Sequence, residues 1–547
     1  MQLPASALRY VPYLFCLIGA LISLGLSFVS LLWLLVAVPL SLLALMGTWD
    51  VLQKRRTISR NYPGVAHFRY LLESIGPELR QYFIQSDTDE LPFSREQRNI
   101  VYQRAKNILD KKPFGSLIPM NAEGYEWMNH SLAPVDIIDK DFRIPVGSHP
   151  KTLKPYDVSV FNISAMSFGS LSANAILALN SGAKKGGFYH DTGEGSISRY
   201  HREPGGDLVW EIGSGYFGCR KPDGSFDPDR FARNAQLDQV KMIEIKLSQG
   251  AKPGHGGILP AAKVTAEIAA ARGVAVGEDV VSPAAHSAFH TPLELMAFIA
   301  QLRELSGGKP VGFKLAIGHP WEWFGIAKAM LETGERPDFI VVDGGEGGTG
   351  AAPLEFINRL GMPMTDALLL VHNTLVGANL REDIALGAAG KITSAFNIAR
   401  TLALGADWCN GARGFMFSLG CIQSLSCHND KCPSGVATQD PSRGGKLDVA
   451  DKSERVYHFH RNTVAALANL LEAGLSHPRE LGPEHIMRRV NKYEVQPYGE
   501  LFQFLEPGAL LDGRAELPVF KKYWAQACAD SFGAPEFMLR LRETKLR

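Results

Sequence analysis

The sequence predicts an α/β protein: a (β/α)8 TIM barrel set behind an N-terminal transmembrane helical hairpin and flanked by helical extensions. Three observations carry this prediction. From Tyr10 to Trp49 no side chain is charged. From about residue 157 to 420, short β-rich runs alternate with glycine-rich loops and longer Ala/Leu-rich runs, the order of parallel βα units. On either side lie segments whose apolar residues recur with helical spacing. The expected division is a hairpin over 1–50, a helical lead-in over 51–150, the barrel over 151–440 and a helical extension over 441–547.

One helix crosses a bilayer core with about 20 apolar residues. The uncharged run is about twice that length, which fits two helices, Tyr10–Leu26 and Val29–Met46, with a turn near Ser27. Arg9 precedes the run and Lys54, Arg55 and Arg56 follow it, so both ends are expected on the cytoplasmic side, with the rest of the chain. A cleaved signal peptide has an apolar stretch of about 7–15 residues before a small-residue cleavage site. This run is too long for that. Cys16, within it, reads as a small hydrophobe.

In the lead-in, 67–83 and 95–109 have helical spacing. In the barrel, VSVFNISAM leads into SFGSLS, KMIEIKL into SQGAKPGHGG, and PVGFKLA into IGHP. FIVVD leads into GGEGGTG, IALGAAG into KITS, and ADWCNGA into RGFMF. A barrel places its chemistry on the loops after its strands. A doubly wound sheet is the alternative and needs a point where strand order reverses. Beyond 440 the clearest helical run is 456–475. Lys+Arg total 57 against Asp+Glu 56, a balance that gives no electrostatic case for nucleic acid as a partner.

Of 7 cysteines, Cys421, Cys427 and Cys432 share one loop, spaced C-x5-C-x4-C and followed by Pro433. Reducing compartments disfavour a disulfide framework. A structural zinc site wants four ligands in tighter pairs, and only His428 is near as a fourth. Three thiolates with a Cys-Pro step suit an iron–sulfur cluster, and a three-iron cluster needs no fourth cysteine. Iron–sulfur, zinc and ordinary buried thiols all stay open on spacing alone.

The segment GCIQSLSCHNDKCPSGVATQDP (420–441) resembles the cluster loop of the glutamate synthase family. SAMSFGSLS (164–172), DTGEGSIS (191–198), IKLSQGAKPGHGG (245–257) and DGGEGGTGAAPL (343–354) resemble the FMN-binding barrel of the same enzymes, in the same order. The resemblance covers about 155–475. It implies FMN and a [3Fe-4S] cluster on Cys421, Cys427 and Cys432, and reduction of 2-iminoglutarate, formed from 2-oxoglutarate and ammonia, to glutamate. The glutaminase domain and C-terminal β-helix of the full-length enzymes have no counterpart in this sequence, so it looks like a stand-alone synthase domain on a membrane anchor. Two other readings are a related membrane-tethered flavoenzyme using another amine or oxo acid, and a barrel without activity serving as a subunit of a complex.

The resemblance also assigns residues. The FMN phosphate is expected at the loops after the last two strands, Gly390-Lys391 and Gly411, Arg413 and Gly414, where glycine turns meet a basic side chain. Ala165, Met166 and Ser167 would pass beside the flavin ring, with Gly344 and Gly345 on a neighbouring strand-end loop. Lys314, a lysine in an otherwise apolar strand, would stabilise the reduced ring. Glu194, Lys246 and Gln249 are expected at the substrate or flavin, and Lys252 at a substrate carboxylate. His255, His286 and His290 depart from the family pattern. Neither G-x-G-x-x-G match, Gly213/Gly215/Gly218 or Gly345/Gly347/Gly350, has the context of a dinucleotide fingerprint. Electrons are therefore expected from a ferredoxin or a separate reductase.

Overall fold

A computed structural model describes residues 9–53, 57–86, 91–108, 111, 113–536 and 538. Lys54, Arg55 and Arg56, the basic flank expected after the hairpin, lie outside the described residues, as does Leu109 at the end of the expected 95–109 helix. The chain divides into two compact units, Met1–Asp89 and Glu90–Arg547.

The first unit opens with helices Val11–Ser27 and Leu34–Leu52, joined by a tight turn at Leu31–Trp33 whose start is capped by Ser30 Oγ. The helices pack together where Gly47 leaves room for the Tyr13 ring, and Tyr13 Oη lies 3.1 Å from Thr48 Oγ1. Phe15, Leu21, Leu35, Leu45 and Trp49 are left exposed around them. The second helix runs past the expected end at Met46 because Asp50 finds partners beyond it. Its carboxylate accepts from the Gly64 amide at 2.9 Å and lies 2.9 Å from His67 Nε2. One segment, Leu31–Leu52 with mean hydropathy 2.2, is long and apolar enough to cross a membrane, while Val11–Ser27 has only 17 residues. Seventeen residues of helix reach about 25 Å, against about 30 Å of hydrocarbon. The expectation of two spanning helices is thus met on length by one of them.

The second unit is built on a closed barrel of eight parallel strands, which excludes the doubly wound alternative. They are β1 (Phe161–Ile163), β2 (His190–Asp191), β3 (Leu208–Ile212), β4 (Val240–Lys246), β5 (Val311–Leu315), β6 (Phe339–Asp343), β7 (Ala385–Ala389) and β8 (Trp408–Gly411). Each pairs with its neighbour in sequence, and β8 closes on β1 through Cys409–Phe161 and Gly411–Ile163. VSVFNISAM is not one strand. Tyr156–Ser159 pairs antiparallel with Arg143–Val146 outside the barrel, and only Phe161–Ile163 enters it. The break falls where the Val160 amide donates to Phe142 O and Ser159 Oγ meets the buried His460 Nε2 at 3.0 Å.

Within this unit, the later part of the lead-in and the tail pack around the barrel. Helix Arg95–Ala105 starts on a Ser94/Gln97 capping box and ends before Asn107, whose backbone is left-handed. The 23-residue helix Val449–Leu471 buries Val456, Phe459 and Leu467 in the common core. The tail is helical only in part. Ile486–Arg489 and Val495–Pro497 form a three-stranded antiparallel sheet with Glu126–Met128, and Asn491 Oδ1 accepts from the Tyr493 and Glu494 amides in the turn between the first two.

Candidate active site

The interior of a TIM barrel is ordinarily packed with branched apolar side chains. Here it holds ions. Glu211 on β3 and Glu244 on β4 are cross-strand partners, as are Lys246 on β4 and Lys314 on β5. The buried Lys314 ammonium is ion-paired with Glu211, and Glu244 Oε1 lies 3.5 Å from it. Asp191, Glu211 and Glu244 bring carboxylate oxygens within 4.8 Å of one another. Burial, then the Glu211 charge, pushes the Asp191 carboxyl up to about 7, and burial and Asp191 raise Glu244 well above its ordinary value. Burial alone would lower Lys314. Glu211, Glu244, Asp191 and Asp343 outweigh it and hold the ammonium well above its ordinary value.

Above this layer lies a cleft lined by Glu194, Ser214, Lys246, Gln249, His255 and Pro283. Three predicted residues, Glu194, Lys246 and Gln249, therefore meet in one place. Lys246 Nζ is 3.1 Å from Glu194 Oε2. Burial would raise the Glu194 carboxyl, but Lys246, then Arg272 and Lys252, prevail and hold it below the ordinary range. Glycine lets the backbone close over this carboxylate: a methyl group on Gly257 would overlap Glu194 Oε1. Lys252 is buried and its Nζ donates to Ala351 O at 3.4 Å, tying the β4 loop to the β6 loop. His286 is buried under the cleft, with Nε2 2.8 Å from Lys246 O and Nδ1 3.1 Å from Tyr216 Oη, and burial pushes it down to about 4. His290 offers its amide to Glu294.

Around the rim, Ala165, Met166 and Ser167 form the loop after β1, and Gly193 and Gly195 of the β2 loop pack directly on it. Gly344 and Gly345 follow β6, the first donating to Ala389 O and the second to Met362 O, both at 2.8 Å. Gly390 and Lys391 follow β7. Gly411 ends β8, with Arg413 and Gly414 just beyond, and Gly414 fits closely under Ile392 O. The Arg413 guanidinium lies 4.6 Å from the centre of the Phe93 ring and donates to Glu346 O at 2.7 Å, and burial lowers it to about 10.

Of the three cysteines of the 421–432 loop, Cys427 lies beside the β6 loop, facing Gly350. The loop is pinned by Tyr102 Oη, which donates to Cys421 O at 2.6 Å, and by Gln423 Nε2, which donates to Phe93 O at 3.1 Å. Gln423, Leu425 and Asp430 adopt left-handed backbone, which costs energy in residues other than glycine and marks a constrained loop. Burial, then the neighbouring sulfurs Cys427 and Cys432, pushes Cys421 up to about 12, and burial and Cys432 raise Cys427. Cys432 goes the other way. Burial opposes it, but the Ser434 hydroxyl, 3.4 Å away, and the Ala437, Ser434 and Val436 amides favour its thiolate. Cys421 and Cys427 are thus raised in part by neighbouring thiols, while amide donors turn to the Cys432 sulfur.

Sequence reasoning missed Asp191, Glu211, Glu244 and Arg272. Glu211 and Glu244 had a signal: LVWEI and MIEI each hold one charge in an apolar run, the same feature that singles out Lys314. Asp191, in a two-residue strand, had none. Arg272 had none: it reaches Phe168 O at 3.3 Å from a separate helix, Ala266–Arg272.

Residues 138–475 match the family model described as a conserved region in glutamate synthase. A Bacillus subtilis protein named glutamate synthase large subunit-like protein YerD is 38% identical over 495 residues, covering 83% of this chain and 94% of that one. A Thermotoga maritima protein named archaeal-type glutamate synthase [NADPH] is 33% identical over 347 residues, 62% of this chain and 65% of that one. A Methanocaldococcus jannaschii protein named archaeal glutamate synthase [NADPH] is 33% identical over 312 residues, 57% of this chain and 58% of that one. Among solved structures, a flavocytochrome b2 mutant overlays 83% of this chain and 92% of its own at a TM-score of 0.40 and 11% identity.

Proposed function

The chain belongs to the glutamate synthase family of oxidoreductases, and from that membership and the site geometry we propose that it reduces 2-iminoglutarate to glutamate with FMN and a [3Fe-4S] cluster while anchored to a membrane by its first unit. The observation that carries this reading is the Glu194–Lys246 pair in a cleft at the strand ends, with Cys427 of the three-cysteine loop beside the neighbouring β6 loop.

The donor sets fit both groups. Gly390, Lys391, Gly411, Arg413 and Gly414 would hold the FMN phosphate, with Ala165, Met166, Ser167, Gly344 and Gly345 along the ring. Cys421, Cys427 and Cys432 would hold the cluster. When bound, these groups supply electron transfer and hydride donation. The chain supplies the rest. Lys246 lines the cleft beside Glu194, with the buried cations Lys252 and Arg272 close enough to act on the same carboxylate; Lys246 would meet a carboxylate of the substrate. Gln249 offers an amide in the same cleft. Lys246 Nζ carries a proton for the imine nitrogen, and the ionised Glu194 keeps that ammonium in place. Lys314 lies one layer below, its charge answered by Glu211, and would favour a reduced flavin from under the strand ends.

The membrane part rests on Leu31–Leu52 and the exposed apolar residues of its partner helix. The names of the archaeal-type relatives include NADPH, but this chain spans only 58–65% of those two proteins. A separate reductase or ferredoxin is therefore proposed as donor. The test is glutamate formation from 2-oxoglutarate and ammonium with a chemically reduced donor, on protein whose flavin and iron are measured first. Flavin without glutamate, together with turnover of another oxo acid, would replace the substrate. Protein that binds neither flavin nor iron would overturn the enzymatic reading.

A further inference from the structure

Between β4 and β5 the chain makes a small insert: a two-stranded pair, Ile258–Leu259 with Val280–Val281, a tight turn at Ala261–Lys263, and helix Ala266–Arg272. Lys263 is 4% exposed. Its ammonium donates to Cys427 O at 2.8 Å and Ala437 O at 3.3 Å, both in or beside the cysteine loop. These acceptors are neutral. Among the described residues no carboxylate lies within ion-pair distance of it. A buried ammonium is costly unless negative charge answers it. The groups that face it are Asp430, Cys427 and Cys432. Asp430 answers part of that charge, with its Oδ1 held by the Gln439 amide at 2.6 Å and the Thr438 hydroxyl at 3.2 Å. The remaining complement is sulfur.

We propose that Lys263 is an electrostatic determinant of the cluster held by Cys421, Cys427 and Cys432, raising its reduction potential. The inference rests on the cluster reading above and adds a residue outside the cysteine loop. A cluster's potential follows net charge, hydrogen bonds to sulfur and solvent exposure. Reduction adds one negative charge, and a fixed cation behind the Cys427 carbonyl favours the state that carries it. The amides at Cys432 act in the same direction. Lys263 touches neither substrate nor, through its hydrogen bonds, a sulfur, so it is a positioning residue that works through charge.

The test is an anaerobic redox titration of the full-length protein, with the cluster followed by its paramagnetic resonance signal and iron measured in the same sample. Lys263→Met should keep its iron and titrate at a lower potential than the parent, and Lys263→Arg should restore most of the shift. Unchanged potential in an iron-replete Lys263→Met overturns the inference and leaves the cluster standing. Parent protein without iron overturns the cluster reading itself. If Lys263→Met loses iron, Lys263→Gln decides, because it keeps hydrogen-bond donors without charge: a lowered potential there supports the proposal, and a parental potential or loss of iron in Lys263→Arg as well overturns it.

Discussion

Replacing Lys314 by methionine would leave Asp191, Glu211 and Glu244 buried within 4.8 Å of one another with no ammonium among them. The folded variant must then bury an unpaired charge or take up one more proton. The proton route sets the scale. A carboxyl that ionises near 4 in the unfolded chain costs about 1.4 kcal/mol per pH unit to keep protonated, hence about 4 kcal/mol at pH 7 and about 1.4 kcal/mol at pH 5. The higher figure falls within the range of about 3–5 kcal/mol for removing one partner of a buried ion pair. The sign follows from proton counts. Above about pH 4 the variant's folded state holds a proton that its unfolded state releases, so its deficit grows with pH. Urea unfolding of parent and Lys314→Met, followed by tryptophan fluorescence in detergent at pH 5, 6, 7 and 8, should show the gap between them widening with pH. An equal gap at pH 5 and pH 8 would refute the argument and reduce Lys314 to a space-filling side chain.

Asp191→Asn tests the same cluster from the acid side. With Asp191 pushed up to about 7 by burial and Glu211, the native fold keeps a proton that the unfolded chain loses near 4, so native stability declines as pH rises through that window. The asparagine variant should show a smaller drop in melting temperature between pH 5 and pH 8. Gly257→Ala places a methyl group on Glu194 Oε1, separating Glu194 from Lys246, and should lower glutamate formation by about a hundredfold, the scale of a misplaced proton-transfer group. Cys432→Ser should abolish bound iron and its visible absorbance while flavin content is retained, as read by iron assay and absorbance spectrum.

The strands with strong local pattern were legible. KMIEIKL, PVGFKLA and FIVVD become β4, β5 and β6, each ending in the loop that follows it in the sequence. His190–Asp191 was not, because two residues hold no period. LVWEI was passed over although Gly206 and Gly213 bracket it as turn signals. Glu194, Lys246 and Gln249 were found separately through their motifs, but their meeting in one cleft depends on barrel closure, which no local pattern encodes. The tail shows the opposite failure. Its long helix is plain in the spacing of Val456, Phe459, Val464 and Leu467, whereas Ile486–Arg489 becomes a strand only because Glu126–Met128, far away in sequence, lies beside it.

Phe93 stands at the entrance to the second unit, and its position decides where the polypeptide tolerates shortening. Its carbonyl holds Gln423, its ring meets Phe417 edge-on at 5.2 Å, and its face carries the Arg413 guanidinium. One residue thus braces both the cysteine loop and the proposed phosphate loop from a segment outside the barrel. Shortening the chain from its apolar front end would therefore have to leave Phe93 in place. A cut past Phe93 would take away the support that the cysteine loop and the proposed phosphate loop share.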